Sequence, residues 1–310
     1  MKKPTTYLQS IALISCREPF TDEWFDRSTD ASVGFVKAIE VNAKDYIPAM
    51  EARRMTKILK RAICSSRRAI ADAGNPEIDA IITSTAMGCM ETSEKFLMDI
   101  VNGGEELLKP TLFMQSTHNT ISSMIAIHLK NHGYNMTFSH GKMSFESALL
   151  DADMQIALGA AHNVLLGQHD EMTDLGAKLI TDADGSFHSE ASVAMVVSDS
   201  ADNAICAIGS PCINDDINAY VGDAKIDAIV ADDSCADIIG ALTVKAPVFN
   251  HTKVFGNTLS NSAVALYAGS RLIAKNRFPS YHSPAESGIN NVLCINREGN
   301  DYCATLLTRV

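Results

Sequence analysis

The segment from residue 135 to residue 170 constrains the fold most, because a strand, a tight turn, a helix and a second strand follow one another within it. The apolar and β-branched run 136–138 suits a short buried strand. Apolar residues at helical spacing predict a helix over 144–158, which Gly159 ends. A strand that runs directly into a helix places the turn residue at the helix N-terminus, where backbone N–H groups and the helix dipole favour an anion. In this chain the turn residue is Lys142, which is a cation.

Strands and helices alternate along the rest of the chain, which favours an α/β fold with layered sheets. We expect a boundary near Ser200, with one domain over residues 1–200 and a second over 201–310. Residues 110–117 are predicted to be extended, and 181–188 to form a polar turn. The predicted strands are 7–15, 78–83, 136–138, 163–166, 192–198, 226–231, 246–249, 291–296 and 302–308. The predicted helices are 53–73, 94–102, 119–131, 144–158, 236–242 and 260–275.

Composition argues against several classes of function. The 310-residue chain is 46% hydrophobic and 20% charged, which is typical of a globular protein with a sizeable core. Its formal net charge of −11 argues against a nucleic-acid backbone as a partner. No run reaches the roughly 18 apolar residues that a membrane span requires, and polar Gln9 and Ser10 interrupt the N-terminal apolar run. We therefore expect a cytoplasmic protein that binds neither nucleic acid nor membrane.

The eight cysteines form no CxxC pair and have no spacing typical of a zinc site. Reduced cysteines scattered through a core are the simplest interpretation, so we expect no metal and no cofactor. A reactive thiol is the alternative at Cys89, in a glycine-containing loop, and at Cys235, at a predicted helix start. Among the histidines, His140 is the candidate acid–base group, because it lies in the central turn.

Six segments, taken in order along nearly the whole chain, resemble one known family. They include ARRMTKILKRA, IITSTAMGCMETSEKFL, LLGQHDE and HTKVFGNTLSNSAVAL. The chain resembles the thiolase-fold β-ketoacyl synthases of fatty acid and polyketide assembly, and most of all the synthase-like proteins and chain length factors of aryl-polyene and flexirubin-type pathways. The resemblance implies a layered α-β-α-β-α fold of two related halves, shortened relative to full ketosynthases.

The chemistry of that family uses a cysteine at a helix N-terminus, which carries the acyl chain, and two histidines that assist decarboxylation and stabilise negative charge. The resemblance aligns the motif S-x-A-C-x-S with residues 139–144, so Lys142 stands at the cysteine position. It places Asp232 at the first histidine position. In the second histidine motif, Lys253 corresponds to a family lysine and Asn257 stands at the histidine position.

These replacements argue against condensing activity. A protonated amine is not a nucleophile at neutral pH, and an amide cannot shuttle a proton as imidazole does. A buried cation also needs a counter-charge or water, and we expect Asp232 or Glu146 to supply the charge for Lys142. Structural alternatives stay open, namely a solvated turn for Lys142, a helix cap for Asp232, a turn for Asn257 and a surface position for Lys253.

The resemblance also implies a substrate tunnel, with Met114, Gln115, His140 and Met143 as candidate lining residues. It implies a β-ketoacyl-[acyl carrier protein] synthase-like subunit that does not condense, pairs with an active ketosynthase as a chain length factor does, and works with acyl carrier protein in polyketide, aryl-polyene or fatty-acid-type biosynthesis. The strand at 135–139 is expected to pair with a second subunit.

Two other functions stay open at this point. One is an acyltransferase-type enzyme with altered chemistry at Lys142, His140 or Cys235. The other is a homodimeric scaffold that binds acyl carriers.

Overall fold

The computed structural model describes residues 6–27, 32–104, 108–180, 186–282 and 287–310. Most of the turn predicted at 181–188 lies outside these residues. Among the described helices, none is long and apolar enough to cross a membrane.

The described chain alternates strands and helices as the sequence predicts. The strands are β1 (Thr6–Ile14), β2 (Phe35–Val36), β3 (Ala80–Ser84), β4 (Tyr134–Phe138), β5 (Asn163–His169), β6 (His188–Ser189), β7 (Ser192–Ser198), β8 (Cys206–Ile208), β9 (Cys212–Ile213), β10 (Ala228–Val230), β11 (Val248–Phe249), β12 (Asn291–Glu298) and β13 (Asp301–Thr308). The helices are α1 (Glu23–Asp26), α2 (Ala49–Ala52), α3 (Lys57–Asp72), α4 (Met90–Gly103), α5 (Pro110–Ser116), α6 (Thr120–Leu129), α7 (Ser144–Ala157), α8 (Asp174–Ile180), α9 (Ile217–Val221), α10 (Ala236–Ala241), α11 (Thr252–Phe255) and α12 (Asn261–Lys275).

The main sheet repeats one topology twice. Its order is β11-β10-β12-β13-β8-β1-β7-β5-β3-β4, with β9 pairing on β13 beside this path. The two five-strand sets meet where β1 pairs antiparallel with β8. When the five strands of each set are numbered 1 to 5 along the chain, both sets have the spatial order 3-2-4-5-1. In both sets, strands 3, 2 and 4 are parallel and strand 5 is antiparallel to its two neighbours.

Helices cover both faces of each half-sheet, so the strands are apolar on both sides. In β5, Val164 and Leu166 face a central layer built by α7 and α12, while Leu165 faces α3 and α6. In β12, Val292 faces the central layer and Leu293 faces α9 and α10. Side chains alternate along a strand, which is why each strand serves two layers. The predicted layered α-β-α-β-α fold of two related halves is confirmed.

The extended conformation predicted for residues 110–117 is wrong, because α5 forms there. Pro110 lies at the start of this helix, where a missing N–H costs nothing since the first turn has no acceptor for it. The sequence prediction also omits α1, α2, α8, α9 and α11, which have seven residues or fewer. Such short helices carry too few turns for a periodic apolar pattern.

Candidate functional site

The turn between β4 and α7 is held by Ser144, the first residue of α7. The Ser144 hydroxyl donates to the Gly141 carbonyl at 2.6 Å and accepts from the His140 N–H at 2.7 Å. Gly141 has a φ of +59°, a conformation that glycine adopts without strain. The sharp turn sets Lys142 at the entrance to α7, as the sequence predicts.

A cavity of about 1000 Å³ opens beside this turn. Lys142, Asp232, Lys253 and Asn257 all line it, although they come from distant parts of the chain. The cavity lining also includes the apolar and aromatic residues Phe187, Val248, Phe249, Val254 and Tyr281. The structure therefore brings together the four residues that the resemblance places at the reaction centre, in a cavity with both polar and apolar lining.

Three of these residues belong to one hydrogen-bonded network. The Lys142 ammonium donates to Asn257 Oδ1 at 3.3 Å. The side-chain amide of Asn261 donates to the same oxygen at 3.0 Å and to Asp232 Oδ2 at 3.2 Å. Because two donors converge on Asn257 Oδ1, the NH₂ group of Asn257 must point away from them. Asn261 was not predicted, and its position four residues after Asn257 is the one sequence signal that could have suggested it.

The ion pair expected between the Lys142 ammonium and Asp232 or Glu146 does not form. No described carboxylate forms an ion pair with this ammonium, which is bonded to an amide oxygen instead. Asp232 caps the short 3₁₀ turn Asp233–Cys235 by accepting the Ser234 N–H at 2.8 Å. Glu146 is buried behind the site and bonded elsewhere. Lys142 is only partly buried, so water reaches its ammonium and a counter-ion is not required.

The side-chain carboxylate of Glu298 contacts the backbone of Lys142. Its Oε2 accepts a hydrogen bond of 2.6 Å from the Lys142 N–H. Glu298 is the last residue of β12, and nothing in the sequence indicates this contact.

His251 is a buried histidine near Asp232 that the sequence analysis did not single out. Neither ring nitrogen has a hydrogen-bond partner among the described atoms. Burial lowers the pKa of His251 to about 4, although the charge of Asp232 opposes the shift. The imidazole is therefore neutral near pH 7.

The two candidate reactive thiols are unreactive in this fold. Cys89 and Cys235 are both fully buried. Burial raises the pKa of each to about 12, with nearby Glu171 and Asp232 adding to the shift. A thiol is a nucleophile only as thiolate, so burial argues against the reactive alternative for both.

The candidate tunnel residues lie outside the cavity. Met114 is exposed and Gln115 is partly buried, and both belong to α5. His140 is exposed, with its Nδ1 2.9 Å from the Ser147 hydroxyl. Met143 is buried against the side-chain amide of Asn296. The single chain does not bring these four side chains together.

Comparison with known families gives a direct assignment. Residues 24–223 match the sequence model of the β-ketoacyl synthase N-terminal domain. The chain therefore belongs to the β-ketoacyl synthase family. A search of curated proteins gives no significant match.

Solved structures of the same fold include complexes with partner proteins. One is AntDE:AntF, a type II polyketide synthase acyl-carrier protein in complex with its ketosynthase bound to the hexaketide, with a TM-score of 0.81 at 12% identity. Another is the ishigamide ketosynthase/chain length factor, with a TM-score of 0.77 at 16% identity. A third is a β-ketoacyl synthase from Burkholderia phymatum STM815, with a TM-score of 0.75 at 13% identity. Each comparison covers 99% of this chain and 100% of the other, and at these identities it supports the fold alone.

Proposed function

We propose that this chain is a non-condensing, chain-length-factor-like subunit of the β-ketoacyl synthase family that pairs with an active ketosynthase in the cytoplasm. The observation that carries the proposal is the bond between the Lys142 ammonium and the Asn257 amide. The resemblance aligns these two residues with the thiolate and one imidazole that the family's reaction needs. Two matched structures are described as assemblies of a ketosynthase with an acyl-carrier protein or a chain length factor. They support both kinds of partner for this chain.

The rest of the cavity offers no substitute for the missing groups. Among the described residues, no cysteine lines it. Its described histidine, His282, is stacked on Phe278 at a centroid distance of 4.4 Å, and its Nε2 lies 3.1 Å from the Val248 carbonyl. A cavity that contains an ammonium, an amide and carboxylates favours a role in binding over one in acyl transfer.

The proposed partner surface is the edge of the main sheet at β4. β4 is the last strand in the sheet order and pairs on one side only, with β3. Met136 of β4 is 40% exposed, and Ile127 of α6 and Met154 of α7, the helices that pack against β4, are 69% and 52% exposed. An uncovered apolar edge strand is prone to pair with another chain. An obligate interface here should bury upwards of about 2,000 Å².

Co-expression tests the proposal. The chain should purify as a heterodimer when produced with an intact ketosynthase from its own genomic neighbourhood, and as a homodimer alone, as measured by light scattering after size exclusion. Met136→Lys should disrupt both dimers by placing a charge on the edge strand. Met50→Lys, on an exposed residue of α2, should leave them intact. A well-behaved monomer at micromolar concentration, or a dimer indifferent to Met136→Lys, would contradict the proposal.

A further inference from the structure

The carboxylate of Glu298 occupies the acceptor position at the turn into α7. Glu298 ends β12 and lines the same cavity as Lys142. The 2.6 Å separation between its Oε2 and the Lys142 nitrogen is as short as a charge-assisted hydrogen bond. The two residues are 156 positions apart, so the contact is made by the tertiary fold.

The turn is shaped closely around this carboxylate. A Cβ at Gly141 would meet Glu298 Oε2 at 2.5 Å, and its Oε1 at 3.0 Å. The carboxylate is the far end of a flexible side chain, so a Cβ at residue 141 would push it out of its hydrogen bond with the Lys142 N–H. Residue 141 must therefore be glycine while Glu298 stays in place.

The hairpin that carries Glu298 is held to α10 by Arg297, which lines the same cavity. Arg297 Nη1 donates to both carboxylate oxygens of Asp237, at 2.7 and 2.9 Å, and Arg297 Nε donates to the Gly299 carbonyl at 2.8 Å. Arg297 therefore fixes the hairpin to α10 while Glu298 reaches towards α7.

We propose that Glu298 is a built-in occupant of the reaction centre, which excludes a ligand's carbonyl or carboxylate oxygen from the Lys142 N–H and keeps this position closed to thioester chemistry. The inference deepens the proposed function and rests on its placement of Lys142 at the nucleophile position. An engaged N–H cannot polarise a second acceptor. A fixed negative charge at this position also disfavours a thiolate beside it. Glu298 is thus a second barrier to condensation, separate from the residue at 142.

A thiol placed at residue 142 reports on this charge directly. Lys142→Cys would be treated with iodoacetamide across a pH range, alone and combined with Glu298→Gln or with Asp233→Asn. Alkylation transfers the carboxamidomethyl group to the thiolate sulfur with loss of iodide, and peptide mass spectrometry measures it at residue 142. The native cysteines are all buried, so the parent chain gives the background. Asp233 lines the same cavity without contacting Lys142, which makes its substitution a matched control for charge.

The expected midpoint of alkylation for Lys142→Cys lies above the pH of about 8.5 at which a free thiol ionises. Glu298→Gln should lower that midpoint by about one pH unit or more, because the amide keeps an acceptor but removes the charge. Asp233→Asn should change it much less. Equal midpoints with and without Glu298→Gln, or equal shifts for the two substitutions, would overturn the inference. Neither result depends on dimerisation, so the proposed function is tested separately.

A second measurement keeps Lys142 in place. Glu298→Ala vacates the acceptor position, and acetate should refill it. We expect acetate to raise the Tm of Glu298→Ala relative to chloride at equal ionic strength, and to have no such effect on the native chain or on Asp233→Ala. Absence of this rescue would also overturn the inference.

Discussion

Glu146 shows how a single buried residue couples the fold to pH. It lies in the first turn of α7, where its Oε1 accepts the Ser262 hydroxyl at 2.6 Å and the Asn296 amide at 3.1 Å. Its Oε2 is buried without a partner among the described atoms. Burial raises the pKa of Glu146 to about 7, the two hydrogen bonds oppose the shift, and the charge of Glu298 adds to it.

The raised pKa of Glu146 predicts a stability that falls with rising pH. Between its ordinary pKa of 4.5 and about 7, the folded chain holds a proton that the unfolded chain has lost. Stability from this group is therefore complete below pH 4.5 and is lost as the pH rises through about 7. Glu146→Gln should remove this pH dependence. As the pH rises to 8, the free energy of unfolding of the variant should increase relative to that of the native chain by up to about 3 kcal/mol.

Urea unfolding at several pH values measures this effect. Exposed Glu18→Gln is the control and should leave the pH profile unchanged. Parallel profiles for Glu146→Gln and the native chain would contradict the assignment.

A second prediction at the scale of single residues concerns the chemistry of Lys142. No acyl group should be found on it after incubation with acyl-coenzyme A or acyl-carrier thioesters, because a protonated amine does not attack a thioester. Lys142→Cys alone should not restore condensation, since Asp232 and Asn257 supply no imidazole. Intact-mass spectrometry checks both statements, and an adduct mapped to Lys142 would refute the first.

At the scale of elements, Asp170 joins the two halves of the chain behind the cavity. It follows β5 and is fully buried. Its Oδ1 accepts the Thr85 hydroxyl and the Ala86 N–H, each at 2.8 Å, and its Oδ2 accepts the Ser260 hydroxyl at 2.8 Å. One carboxylate thus holds the loop between β3 and α4 against the start of α12.

Replacing this carboxylate by an amide should destabilise the chain. In Asp170→Asn the NH₂ group faces donors that have lost their acceptor, and a buried unsatisfied group costs about 1–3 kcal/mol. Urea unfolding should therefore show a lower midpoint. Asp199→Asn is a matched control, because Asp199 is largely exposed and bonds to an exposed histidine. Equal midpoints for Asp170→Asn and the native chain would show that the network carries little stability.

At the scale of the whole molecule, the two halves share one core. The central layer packs α7 of the first half and α12 of the second between both half-sheets. We propose that the halves divide near residue 200, since β7 ends at Ser198 and β8 begins at Cys206. Trp24 is the one tryptophan of the sequence. Its ring centroid lies 5.0 Å from that of Phe255 and 6.0 Å from that of Phe249, so this residue of the first half contacts the second half.

This shared core predicts a single unfolding transition. The fluorescence of Trp24 and the far-UV circular dichroism should change at the same urea concentration, because neither half can keep its central layer without the other. Leu272→Ala, in α12, should lower the free energy of unfolding by about 2–5 kcal/mol and shift both transitions together. A fluorescence change that precedes the loss of helix and strand would mean that the halves separate first.

Local patterns in the sequence determined the elements and the class of fold. Strand 192–198 was predicted with its observed bounds, and the turn with Lys142 before α7 was placed correctly, because periodicity and glycine act over a few residues. The helix at 110–116 was not predicted, since a short segment after a proline has no clear period.

Only the tertiary structure decided what surrounds Lys142. Its partners are Asn257, 115 positions away, and Glu298, 156 positions away, and the expected Asp232 instead caps its own turn. Sequence patterns are local, whereas the packing of two half-sheets around α7 and α12 selects which distant side chains meet. The sequence, through its resemblance to a family, therefore pointed to four residues that line the cavity. The fold decided their partners and added Asn261 and Glu298.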